Sequence, residues 1–232
     1  MTTKEKVIQS LVEHEHLGEL ESFPSLTITS DEIRANGTFA ERQAEFLKPN
    51  SKEVEELTKE LSTKNVGVCA HYYMDARIQG VLTTVSTEWP HVFIADSLAM
   101  GDAAVKMAKS GVSCIMVAGV DFMTENVRAV LDANGFGHVG VYMLASDAIG
   151  CILAEAAEKR EYVEWLKKSS ESVSAEPCVH VVYINTSLSA KAAAQSVMPT
   201  VACTSSNVVK TILQISSQIP GVKVFYGPDS FM

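Results

Sequence analysis

His71, Tyr72 and Tyr73 stand together directly after the apolar run Val66 to Ala70. An imidazole beside phenols can relay a proton, although a strand-end histidine can equally serve packing alone. Asp96-Ser97 follows the apolar run His91 to Ala95 and precedes a helical stretch. Either residue can cap that helix, and the helix's positive end can also attract an anion. Asn185-Thr186-Ser187 and Thr204-Ser205-Ser206-Asn207 repeat this placement. In the last of these, hydroxyls, free backbone N–H groups and the helix dipole together suit a carboxylate or a phosphate. Capping by Ser206 or Asn207 is the plainer alternative. Recurrence of the arrangement at successive strand ends implies a shared pocket for a small acidic ligand. Cys151 follows Gly150 and opens an apolar helix. That position suits a thiolate, for nucleophilic attack or iron–sulfur ligation, against simple burial of a small hydrophobe. Gly135, Gly137 and Gly140 spell a G-x-G-x-x-G. Here a helix precedes and a strand follows, the reverse of a dinucleotide-binding turn. Gly135 is therefore expected as a left-handed helix C-cap.

Alternating short β runs and helices must position these residues. Strands are expected at Val66 to Ala70, His91 to Ala95, Ser113 to Ala118, Val139 to Met143, Val179 to Ile184, Thr200 to Cys203 and Val222 to Tyr226. Helices are expected at Ala76 to Val85, Leu98 to Lys109, Thr124 to Ala133, Ile152 to Lys168 with a break near Lys159, Leu188 to Ser196, and Val208 to Gln218. Repeated βα alternation gives α/β architecture, parallel sheets with helices on both faces, and sites at one sheet edge. The strand-end triplets occur in two similar halves, 65–148 and 149–232, preceded by a charged helical arm over 1–64. In that arm Glu5 to Val12, Phe39 to Phe46 and Ser51 to Leu61 carry helical spacing, and Asn50-Ser51 caps the last.

Composition narrows the function. The 232 residues are 47% hydrophobic and 20% charged, with a net charge of −9. A packed core follows, and non-specific nucleic-acid binding does not. No apolar run approaches the ~18 residues of a membrane span, and no targeting segment is evident. The five cysteines contain no C-x-x-C, which fits a reducing compartment.

Taken together, the motifs resemble the quinolinate synthase family in its plant and algal branch. The matching segments are Ala70-His-Tyr-Tyr-Met-Asp with Ile78-Gln79, Ala95-Asp-Ser-Leu-Ala-Met, Gly119-Val-Asp-Phe-Met-Thr-Glu-Asn, Gly150-Cys-Ile-Leu-Ala, Val182-Tyr-Ile-Asn-Thr-Ser, Cys203-Thr-Ser-Ser-Asn and Gly227-Pro-Asp-Ser-Phe-Met. The resemblance implies three α/β/α units around a pseudo-threefold axis with the site at the centre. It also implies a [4Fe–4S] cluster on one cysteine from each unit, with an open iron as Lewis acid. The implied reaction condenses iminoaspartate, supplied by L-aspartate oxidase, with dihydroxyacetone phosphate to give quinolinate for NAD biosynthesis. By the same resemblance Cys151 is a cluster ligand, and Tyr73 and His71 are catalytic. His71, Ser97, Tyr183, Asn185 and Ser205 hold substrate carboxylates or phosphate, and Glu125 and Met123 line the pocket. The branch is commonly plastid-located and follows a cysteine-desulfurase-activating domain; cytosol and plastid both remain open.

By the resemblance, the family's other two cluster cysteines, its His-Pro-Glu motif and a substrate-binding threonine come later than the motifs matched here and are not among these residues. Cys69, Cys114, Cys178 and Cys203 occupy other motif positions. Taken alone, the chain is expected to be an inactive portion of the enzyme whose bare face a homodimer would cover. The alternatives are a cluster-free dicarboxylate- or phosphate-binding protein, and a cysteine-nucleophile enzyme using Cys151 with His71.

Overall fold

The computed structural model describes residues 25–37, 40–41, 44, 49–173 and 175–228. The expected helix at Glu5 to Val12 and most of that at Phe39 to Phe46 lie outside these residues.

The first described elements are not helical. Strands β1 (Ser25–Ile28) and β2 (Ile33–Asn36) form an antiparallel hairpin. The cause is local. Thr27, Ile28 and Ile33 are β-branched and favour extended backbone. The Thr29 hydroxyl accepts from the backbone N–H groups of Asp31 and Glu32 and so closes the turn. The arm expected to be helical is thus partly a hairpin.

Helix α1 (Ser51–Lys64) begins at Asn50, whose side chain accepts from the Lys52 N–H at 3.0 Å, as its sequence position implies. The first parallel sheet has the order β4-β3-β5-β6. Its strands are β3 (Val66–His71), β4 (Val92–Ala95), β5 (Cys114–Ala118) and β6 (Gly140–Met143). Between them run α2 (Ala76–Val85), α3 (Ser97–Lys109) and α4 (Asp121–Ala133). Side chains alternate across a strand, and two core layers result. Cys69, Ile115 and Val117 face α3 and α4, where Met100, Val127 and Leu131 are fully buried. Val68, Ala70 and Ala118 face α1 and α2, against Val54, Leu61 and Leu82. Close approach of α3 to α4 uses Gly101, whose missing Cβ would stand 3.1 Å from a Val130 methyl. Gly135 ends the α4 turn at φ +81°, the expected left-handed cap.

The second sheet, β8-β7-β9, is also parallel. It contains β7 (Cys178–Tyr183), β8 (Thr200–Cys203) and β9 (Lys223–Gly227). Around it pack α5 (Ile152–Ala157), α6 (Arg160–Ser172), α7 (Leu188–Val197) and α8 (Val208–Gln218). The expected break near Lys159 separates α5 from α6. One face of the sheet meets Tyr162, Leu166, Ala190 and Ala194; the other meets Ile215 and Ile212. Ile184 and Ala202 from this second part pack into the core beneath α3 and α4, which joins the two sheets. No helix among the described residues is long and apolar enough to cross a membrane.

Candidate functional site

Parallel strands place their C-terminal ends on one edge, and a cavity of about 370 Å³ opens there between the two sheets. His71, Tyr73, Ser97, Met123, Cys151, Tyr183, Asn185 and Ser205 all line it. Glu125 is not among the lining residues. Its carboxylate accepts from the Leu188 N–H at 3.0 Å, at the first turn of α7.

His71 ends β3 and is buried. Its Nδ1 accepts from the Tyr73 N–H at 3.3 Å, so in the neutral ring the proton sits on Nε2. Burial pushes the imidazole below its ordinary range, and Asp96 partly offsets this. The ring is therefore a neutral donor at pH 7. Tyr72 stacks on it at 4.8 Å between centroids. The hydrogen bond between the two phenols pushes Tyr72 up to about 12, so it keeps its proton. Gln79, one turn into α2, fixes the loop by donating to the carbonyls of Tyr72 at 2.8 Å and Met74 at 2.7 Å.

The helix ends differ from one another. At α3, the Asp96 carboxylate accepts from the Leu98 and Ala99 N–H groups at 3.0 and 2.9 Å. That end already holds an anion, so Ser97 offers the cavity a side chain and not an open dipole. At α7, Ser187 is the cap, accepting from the Ala190 N–H at 3.0 Å. At α8 no side chain caps the helix. The expected cap by Ser206 or Asn207 is absent, because Asn207 Oδ1 turns back to the Thr204 N–H at 2.8 Å. The Ser206 hydroxyl lies 2.7 Å from that of Thr204 and 3.5 Å from Asp96 Oδ2. Ser205 is left exposed at the open end of α8.

Cys151 precedes the six-residue helix α5 and receives the Asn185 Nδ2 donor at 3.6 Å from sulfur. Its loop is held by Asp121, which accepts the Ile149 N–H on Oδ1 and gives its own N–H to the Ile149 carbonyl. The other thiols stand apart. Cys69 and Cys203 are fully buried, and burial pushes them up to about 12 and about 11. Cys114 and Cys178 are half-buried on strands. Among the described residues no three His, Cys, Asp or Glu side chains gather as a metal site. A [4Fe–4S] cluster takes its hold from several thiolates, and these residues alone do not fit one.

The quinolinate synthetase A protein family matches residues 52–232. The chain belongs to that family. Chloroplastic quinolinate synthase of Oryza sativa subsp. japonica is 56% identical over 213 residues, covering 91% of this chain and 30% of the rice protein. The Arabidopsis thaliana counterpart is 54% identical over 212 residues, covering 91% and 29%. Quinolinate synthase of Synechocystis is 29% identical over 178 residues, covering 76% and 44%. The chain thus spans less than a third of the length of these plant relatives. Among solved structures, a sugar transporter from Clostridium phytofermentans aligns at a TM-score of 0.29 and 11% identity over 68% of this chain and 69% of its own, which carries no argument.

Sequence reasoning grouped the strand-end residues of this family member by motif. It missed the engagement of Gln79 and Asp121 with loop backbone and the withdrawal of Glu125 from the cavity. Gln79 stands in the Ile78-Gln79 segment that shares the family pattern, so its signal was present. The withdrawal of Glu125 depends on where α7 lands and had no local signature.

Proposed function

We propose that this chain is part of a plastid quinolinate synthase and carries the side of its active site that binds iminoaspartate and dihydroxyacetone phosphate. One observation carries the reading: His71, Tyr73, Ser97, Cys151, Tyr183, Asn185 and Ser205, drawn from both sheets, line one cavity. A four-carbon dicarboxylate presents two anionic ends and a triose phosphate a third, and the cavity offers donors of matching kind. Neutral His71 gives an Nε2–H, while Ser97 and Tyr183 give hydroxyls. Asn185 gives an amide N–H. The uncapped end of α8 with Ser205 suits the phosphate, since backbone N–H groups and the dipole there favour negative charge. Tyr73 lines the cavity and is 77% exposed, and we assign it proton transfer. Cys151, the thiol that lines the cavity, is assigned as one cluster ligand of the whole enzyme. L-aspartate oxidase is the proposed source of the imine, and the "chloroplastic" relatives support the compartment.

The test uses the native polypeptide. Antibody raised against residues 1–232 captures it from cell extract under anaerobic conditions. The captured protein is supplied with enzymatically generated iminoaspartate and dihydroxyacetone phosphate. Quinolinate formation is the expected result. Captured protein that yields none, while still binding either substrate, would replace the enzyme reading by a binding protein.

A further inference from the structure

Lys191 lies one turn into α7, outside the cavity lining. Its ammonium donates to the Ile184 carbonyl at 3.0 Å and to the Thr186 carbonyl. These flank Asn185, the cavity residue whose Nδ2 reaches Cys151. The ammonium also sits 5.9 Å from the centroid of Phe122 on α4, within range of a cation–π contact. The same short loop is tied from other directions. Glu125 of α4 accepts the Leu188 N–H, and Glu158, just after α5, accepts from the Ser187 and Ser189 hydroxyls. Thr186 is fully buried and gives its hydroxyl to the Tyr183 carbonyl at 3.2 Å.

We infer that Lys191 is a positioning residue: its ammonium turns the Ile184 and Thr186 carbonyls away from the cavity and so aims the Asn185 amide at Cys151 and the ligand. The inference rests on the reading of Asn185 as a cavity donor. A lysine is an expensive choice for a half-buried place. Burial lowers it to about 8, against the opposing pull of Glu125 and Glu158. A loop needing only apolar packing would not require it. An ammonium supplies three donors on one point, which lets one group hold two carbonyls two residues apart. Arginine, with its planar fork, does not reproduce that geometry.

The test reads Cys151 itself and needs neither substrate nor cluster. The full 232-residue chain is alkylated with iodoacetamide, and the rate at Cys151 is followed by peptide mass spectrometry. Asn185→Ala is expected to change that rate several-fold. Lys191→Met is expected to change it in the same direction and by the same factor, and the double variant is expected to add nothing. Ser187→Ala, which removes the α7 cap but leaves Lys191, is expected to lower stability without moving the rate. A Cys151 rate unchanged in Lys191→Met, factors that multiply in the double variant, or no effect of Asn185→Ala would each overturn the inference. Should Lys191→Met not fold, NMR of the unsubstituted chain decides. The Asn185 side-chain amide is expected to shift as the Lys191 ammonium titrates at about 8; an amide that ignores that titration overturns the inference. A chain that passes this test yet makes no quinolinate in its native form would leave Lys191 in place and remove only the enzyme reading.

Discussion

The two parallel sheets reach a common cavity with different interiors. Around β3 and β5 the core is apolar, with Met100, Ile115, Val127 and Leu131 fully buried and small residues letting α3 approach α4. Around β7 a fully buried histidine replaces the apolar side chain. His180 Nε2 lies 2.8 Å from the Tyr162 hydroxyl and its Nδ1 lies 3.4 Å from that of Thr200, with Trp165 edge-on. Burial holds His180 down at about 4, well under 6.5. In the first sheet the lowered imidazole, His71, sits at the cavity edge, whereas in the second His180 lies in the core. The comparison shows that βα units of one topology can carry different sensitivities while presenting the same strand ends. Each part also holds one tryptophan, Trp89 and Trp165, so fluorescence of single-tryptophan variants can follow them separately.

Leu131→Ala and Leu166→Ala are expected to have the largest effects, each costing about 3 kcal/mol in urea unfolding, since both side chains are fully buried. Ile184 of the second part sits in the first core, so both tryptophans are expected to report one transition in either variant. Separate transitions would break the coupling. Acid comes next. A histidine lowered on folding contributes stability that is complete above pH 6.5 and lost as pH falls through about 4. The loss integrates to about 3 kcal/mol. It is expected at pH 4 in urea titrations, and His180→Gln is expected to flatten the slope. A chain equally stable at pH 7 and pH 4 would erase the contrast between the cores.

The helix ends sharpen the comparison further. Asp96→Ala removes the α3 cap and is expected to cost about 1 kcal/mol in the same assay. It also removes the charge that raises His71, so the His71 titration followed by NMR is expected to move lower still. Ser205→Ala, at the uncapped α8, is expected to change stability by less than about 0.5 kcal/mol. It is instead expected to weaken dihydroxyacetone phosphate binding several-fold by calorimetry. A Ser205 variant that unfolds readily and binds normally would make that end structural.

Local chemistry made much of this molecule legible in its residues. Helices α2 and α8 and strand β8 fall where periodicity and flanking turns place them, because those signals act within a few residues. Gly135 and Asn50 were readable for the same reason. The hairpin at Ser25–Asn36 was not, since four-residue strands give too short a pattern to separate from charged helix. The motif residues pointed to one shared cavity, but could not say which donors would face it. Asp96 on α3 and Asn207 on Thr204 are local bonds within the motifs, whereas Glu125 reaches α7 across 63 residues. Type and spacing determined the strand ends and their donors. Tertiary structure alone decided which donors still face the cavity, because a hydrogen bond between residues far apart in the chain forms only once packing has brought their elements together.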